Sequence, residues 1–454
     1  VTYFSAFGNP LSGSGLPPSG APGSAGWRAL LALAVVLVLL VTTGWTAVRR
    51  HHQDDGPRAA ALLAWEKGSV AGHPLPDPDA SATRIARYFA ALDTAQRRAL
   101  AHRYPLVVGN LAGAPLDLRY RANHRALEQA RAVERKRMTD QRLTDEGRQD
   151  AGQRMHRFAS MLQGGRQILA FDPTGRGHAA EVFGDLAHAQ RVSVVVPGVD
   201  TELLTFEKSA KQYSAPVGMA ASLQRQERTS ASGVRTATIA WADYTAPVGL
   251  GVDAASGELA QQGAVRLNRL VRALPVTSAG SAPKVSLVCH SYGSVVCGLA
   301  ADELPSAVTD IAVAGSPGMR ADTASALGTR AHVWAMRDRD DWIADVPHMD
   351  VGGLGHGADP VSTGFGARRM SSAGSVGHTG YFVPHTRSLA NLAAVGTGSY
   401  DEITCAGSDP DCSLIPRPRA SARSTSAQSA GEHNASHQHA STGGTASRRA
   451  AEQR

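Results

Sequence analysis

The chain alternates between two textures of apolar spacing. Between residues 57 and 162 apolar side chains recur at helical intervals, as in "SATRIARYFAALDTAQRRALAHRYP" and at Met155, Phe158 and Leu162, and predict a helical arm. From residue 163 onward the runs become short and β-branched. "RQILAFDPTGRGHAAEVFGDL" reads as two strands around a Pro/Gly turn at Asp172 to Gly177, and "RVSVVVPGVD", "RTATIAWADY", "KVSLVCHS", "DIAVAGSPG" and "AHVWAMRD" each end in a loop. Helical stretches such as "ELAQQGAVRLNRLVRAL" separate several of them. Strands alternating with helices predict an α/β core over residues 163–400, built on a doubly wound, mostly parallel sheet.

Outside these regions the pattern changes again. Residues 1–26 are rich in Pro, Gly and Ser and read as a flexible leader. Within residues 27–50, the uncharged run from Ala29 to Val48 lies between Arg28 and the pair Arg49 and Arg50, and about 20 such residues suffice for a helix to cross a bilayer. No A-x-A cleavage site follows, so the run reads as a retained single-pass anchor rather than a signal peptide. Residues 401–454 are poor in apolar side chains and read as a disordered tail, whose His433, His437 and His439 are solvated rather than metal-binding.

Charge and cysteine content narrow the function. The formal net charge of +7 invites a nucleic-acid partner. Yet the basic residues between Arg119 and Arg157 are interleaved with Glu128, Glu134, Asp140, Asp145, Glu146 and Asp150, which reads as a solvated helical surface, so no nucleic acid is expected. The four cysteines form no CxxC and no Cys/His metal spacing, so no structural zinc is expected, and the serine chemistry set out below needs no metal or organic cofactor.

Candidate chemistry centres on "KVSLVCHSYGSVVCGLAA", Lys284 to Ala301. A fully buried parallel strand reads as a continuous apolar run. If a helix starts at once near Tyr292, Ser291 sits on a tight, strained turn above the strand end, with small neighbours required at Cys289 and Gly293. This is the logic of the G-x-S-x-G nucleophile elbow, with Cys in place of the first Gly. A serine needs a base and an orienting carboxylate to act as a nucleophile. "VWAMRDRDDWIADVP" offers Asp338, Asp340 and Asp341; Asp341 is favoured because the apolar Ile343 two residues on can anchor its loop. Of two candidate bases, His378 in "GHTGYFVPHTRSLANLAAV" precedes the final helix and is favoured over His356 in "GGLGHGADP". Oxyanion donors are expected at the backbone amides of Tyr292 and, after "VSVVV", Val199 next to Gly198. The Pro- and Gly-containing segment from Asp243 to Gly257 is expected to form a mobile flap.

The ordered segments "YPLVVGNLAGAPLDLRYRAN", "VVVPGVDT", "CHSYGSVV", "VAGSPGM", "DDWIADVP", "GHGADP", "FGARR" and "GHTGYF" resemble an actinobacterial family of α/β-hydrolase-fold proteins, largely of unassigned substrate. The resemblance spans about Pro57 to Tyr400. It implies a serine hydrolase acting on an ester or related acyl bond of a small-molecule or lipid-like substrate, with Ser291 as nucleophile, Asp341 as acid and His378 as base. Usual members carry Gly where this chain has Cys289. The rival reading is a non-catalytic binding or scaffold protein at the cell envelope, since a fold does not guarantee activity. For the side of the membrane two signals conflict. Arg49 and Arg50 pull the residues after the anchor towards the cytoplasm, whereas Cys405 and Cys412 in "CAGSDPDC" are spaced to close a disulfide that persists only outside it. With the likeness to exported enzymes, the reading leans to an extracytoplasmic domain.

Overall fold

A computed structural model describes residues 56–407, together with Asp409 and Cys412. The expected leader, the bilayer span and the tail beyond Cys412 lie outside the described residues. Among the described residues no helix is long and apolar enough to cross a membrane.

Eight strands form one sheet: β1 (Gln167–Asp172), β2 (His178–Gly184), β3 (Arg191–Val196), β4 (Thr236–Ala242), β5 (Lys284–His290), β6 (Val308–Ala314), β7 (His332–Met336) and β8 (Arg368–Arg369). Their order is β8-β7-β6-β5-β3-β4-β2-β1. The six strands from β8 to β4 run parallel, and β2 and β1 add antiparallel at one edge. Two-residue periodicity explains how both faces are covered. On β3, Val192, Val194 and Val196 enter an apolar core shared with α8 (Glu258–Thr277) and α9 (Gly293–Ala300). Ser193 points the other way, towards α6 (Pro216–Ser230) and α10 (Arg387–Thr397), where its hydroxyl donates to Glu227 of α6.

That bond belongs to a buried polar cluster with a consequence for stability. Glu227 is fully buried; Ser193 Oγ donates to it at 2.5 Å and Thr238 Oγ1 at 2.9 Å. Burial pushes its pKa up to about 7, against the opposing pull of these two hydroxyls. The folded state therefore holds a proton that the unfolded chain releases between the ordinary carboxylate range and about pH 7, so this site's contribution to stability falls as pH rises through that window. Glu227→Gln removes the titration. Chemical denaturation at pH 5 and pH 8 should show the parent losing stability relative to the variant at the higher pH; an identical pH dependence of the two proteins would contradict this.

The helical region contains α1 (Pro57–Glu66), α2 (Ala82–Ala90), α3 (Thr94–Arg103), α4 (Leu116–Arg137) and α5 (Asp145–Met161). Trp65, Ile85, Phe89, Leu100 and Tyr104 form a second apolar cluster there. The region also covers the open edge of β1. The carbonyls of Ile168, Leu169 and Phe171 accept from Asn123, Arg119 and Asn110, which satisfies backbone groups that would otherwise invite strand pairing. The charged run on α4 and α5 is not uniformly solvated as its sequence suggests. Glu134 and Arg154 are buried and paired at 3.0 Å, because the two helices pack directly on each other.

Candidate active site

Strand β5 ends at His290 and α9 begins at Gly293, leaving two residues to reverse direction. Ser291 takes the turn at φ +54°, a left-handed conformation that costs a non-glycine residue about 1–3 kcal/mol. Neighbouring contacts hold it there. Its N–H donates to the Ala314 carbonyl at 3.1 Å. Gly293 is required because a Cβ at that position would lie 2.2 Å from the Val196 carbonyl oxygen.

Cys289 does more than stand in for a small residue. It is disulfide-bonded to Cys297, so the last turn of β5 is covalently fastened to α9 across the serine. Sequence reasoning noted both cysteines and missed the pairing, for which a spacing of eight across a strand-to-helix turn was the available signal. Closing so short a loop is worth about 2–3 kcal/mol in the chain-entropy account. A second bridge joins Cys405 and Cys412.

Loops from three other strand ends meet Ser291. His378, from the loop between β8 and α10, has Nε2 2.8 Å from Ser291 Oγ, and its Nδ1 lies 2.8 Å from Asp341 Oδ1. Asp341 follows β7, is almost fully buried, and accepts also from the Ile343 N–H at 2.9 Å and the Tyr381 hydroxyl at 2.5 Å. Burial alone raises its pKa, but the bonds from His378, Tyr381 and the Ile343 amide outweigh it and hold the carboxyl below its usual range. With Asp341 ionised, Nδ1 of His378 is the protonated nitrogen, and Nε2 is free to accept from Ser291.

The loop after β3 closes the remaining side. A Cβ built on Gly198 would lie 2.7 Å from Ser291 Cβ and 3.3 Å from the Tyr292 nitrogen, so this backbone runs directly against the elbow. Among the described residues, the N–H groups of Val199 and Tyr292 have no acceptor within the protein.

The other candidates lie elsewhere. His356 is buried with Nε2 donating to the Ala254 carbonyl at 2.7 Å and its ring edge-on to Tyr292; burial drives its pKa down to about 4. Asp340 is exposed. Asp338 is not the solvated charge its loop position suggests: it is buried, and its Oδ1 accepts from the amides of Asp340 and Gly377, which pins the acid loop to the histidine loop. His290 was overlooked. Burial and the neighbouring His378 push its pKa down to about 3, and as a neutral ring it donates from Nε2 to the His378 carbonyl at 2.7 Å. Tyr381 was missed too, although it sits in the "GHTGYF" segment.

Residues 172–351 match the profile of a family described as Alpha/beta hydrolase. These residues are similar to that family, and the sheet described above is of the α/β-hydrolase type. Over 170 residues the chain is 32% identical to an uncharacterized protein of Mycobacterium tuberculosis, an overlap covering 37% of this chain and 63% of that one. Over 397 residues it is 26% identical to a second uncharacterized protein of the same organism, covering 76% of this chain and 59% of the relative. The chain thus spans about three-fifths of the length of the curated relatives it matches. Among solved structures, a dienelactone hydrolase from Anabaena variabilis aligns at 14% identity with a TM-score of 0.32, covering 53% of this chain and 99% of that one.

Proposed function

We propose that this chain is a serine hydrolase that cleaves an ester or related acyl bond. The observation that carries the reading is the unbroken hydrogen-bonded chain Ser291 Oγ, His378 Nε2, His378 Nδ1 and Asp341 Oδ1, with both links at 2.8 Å. Ser291 Oγ attacks the acyl carbon while His378 Nε2 takes its proton, and Asp341 stabilises the imidazolium. The tetrahedral oxyanion is met by the amides of Val199 and Tyr292, the latter at the N-terminus of α9. His378 then returns the proton to the leaving oxygen, which departs and leaves an acyl group on Ser291. A water that gives its proton to His378 attacks this acyl-enzyme, and the released Ser291 oxygen recovers the proton as the carboxylic acid leaves. All proton transfers use His378, and none of these steps calls on a metal or organic cofactor.

Mixing the protein with excess p-nitrophenyl acetate tests the reading. It predicts a burst of p-nitrophenolate stoichiometric with protein and an acetyl mass increment on the Ser291 peptide. A linear release with no acylated peptide would contradict it.

Gly198→Ala probes the close approach beside the nucleophile. Its methyl group must displace Ser291 or the Val199 amide, and misplacement of that kind costs about a hundredfold in kcat. Steady-state kinetics alongside a thermal melt would show this as a kcat loss out of proportion to any stability change; unchanged kcat would place the oxyanion donors elsewhere.

For location we propose an extracytoplasmic domain on an N-terminal anchor at the cell envelope. Two disulfides, one at the elbow, support an oxidising compartment.

A further inference from the structure

Most large apolar side chains that stand exposed among the described residues lie on three loops beyond the C-terminal ends of the parallel strands, where Ser291 also lies. Val248 and Leu250 follow β4, Trp342, Met349 and Leu354 follow β7, and Val376 follows β8. By contrast Leu63, Val133 and Val265 sit singly on three different helices. Scattered exposed apolar residues are ordinary; a set gathered on one face is not.

These loops are fastened to one another and to the site. The segment expected to be a mobile flap carries α7 (Val252–Ser256) and is tied down. Gly249 N–H donates to Asp200 Oδ1 at 2.8 Å, Asp200 N–H donates to the Pro247 carbonyl at 2.8 Å, and Asp200 lies two residues after Gly198. Arg320 bridges the loops after β4 and β7, donating to the Ser256 carbonyl, the Gly353 carbonyl and Asp350. Trp342, 41% exposed, lies with its ring 4.6 Å from that of His378, and Val376 is two residues before this histidine. The exposed apolar side chains therefore form a fixed rim around the mouth above Ser291, which itself keeps only 5% of its surface exposed. Carboxylates outnumber cations on these loops: Arg339 lies beside Asp340 and Arg320 is paired with Asp350, while Asp345 adds an exposed negative charge. Nothing there selects for an anionic surface.

We propose that this rim seats the protein on the surface of an aggregated neutral lipid, and that the substrate is an ester presented from that surface. The inference rests on the serine hydrolase reading, because the occupant of a rim around the reacting serine must bring an ester carbonyl to it, and an aggregated neutral lipid carries such esters at its surface. Rigid apolar side chains projecting from a face with no excess of cations gain by burial among the acyl chains of a neutral lipid what they lose by standing in water.

The test uses the full chain and compares parent with Leu250→Asp/Met349→Asp, two positions on different loops, so that the bilayer-length apolar run near the N-terminus is common to both proteins. Hydrolysis of tributyrin is followed from below to above its solubility limit. The parent rate should jump at the limit, and the variant, still turning over the dissolved ester, should lose at least about tenfold of that emulsion-phase rate, since each lost apolar contact removes about one decade of surface affinity. A parent rate that follows dissolved tributyrin smoothly through the limit, or a variant that keeps the jump, would overturn the proposal. A second readout does not depend on catalysis. Vesicles of brominated neutral phosphatidylcholine should quench tryptophan fluorescence of the parent more than that of Trp342→Phe, and equal quenching would also overturn it. If Ser291 failed to acylate while the Trp342 quenching persisted, the serine hydrolase reading would fall and the lipid-facing rim would stand.

Discussion

Alanine in place of Ser291 should lower turnover of a dissolved acyl ester by about six orders of magnitude, the loss seen when the nucleophile of such a constellation is removed. The residue should be dispensable for folding. Among the described residues its hydroxyl bonds only to His378, and alanine meets the same left-handed backbone conformation that serine already tolerates. The disulfide, the Ala314 bond and Gly293 all act on backbone or on neighbouring residues, so the elbow persists without the hydroxyl. The denaturant midpoint should therefore stay close to that of the parent. A variant that retained within tenfold of parental turnover, measured on a preparation free of other esterases, would remove Ser291 from the mechanism.

His378→Ala should match that loss, and Asp341→Asn should cost about four orders of magnitude in kcat. The second figure has a geometric reason. Asp341 accepts from three donors, His378 Nδ1, the Ile343 amide and the Tyr381 hydroxyl. An asparagine has one acceptor oxygen and must turn its NH2 towards one side. Either Tyr381 loses its partner or His378 faces a donor and adopts the tautomer that cannot accept from Ser291. His356→Ala is the control. Its ring holds the Ala254 carbonyl and touches Tyr292, so its loss should disturb the rim and the elbow helix mildly. Kinetics in which His356→Ala silenced the protein and His378→Ala spared it would reverse the assignment of the base.

The fold was readable from sequence wherever one residue pattern served one purpose. β3, β4, β5, β6 and β7 are buried on both faces and announce themselves as β-branched runs, and the turn at Asp172 to Gly177 marks the antiparallel pair β1 and β2. β8 has two residues, Arg368 and Arg369, and no apolar signal; it exists because β7 offers an open edge. The capping of β1 was hidden for a related reason. Asn110 in an uncharged turn, and Arg119 and Asn123 on the charged α4, look like ordinary polar positions, and only the docking of this region against β1 turns them inward.

In the site, local sequence carried the elbow, because a strand, a small-residue turn and a helix in succession leave one residue at the apex. Asp341 was separable from its neighbours through Ile343, which is buried and whose amide donates to the carboxylate. Residues that act through others left weaker traces. Tyr381, Asp338 and His290 hold the acid, the acid loop and the backbone of His378, and each role depends on chain segments that meet only in three dimensions. The Cys289 and Cys297 bridge lay in plain view, but the requirement for a small residue at position 289 already explained the cysteine and masked the bond.

The central claim is that Ser291 is a nucleophile activated by His378 and Asp341, and covalent labelling with a fluorophosphonate probe tests it most directly. The reagent loses fluoride only to an activated hydroxyl, so the account predicts a single adduct, mapped by peptide mass spectrometry to Ser291, abolished in Ser291→Ala and strongly slowed in His378→Ala. An adduct on a different residue, or equal labelling of parent and Ser291→Ala, would contradict it.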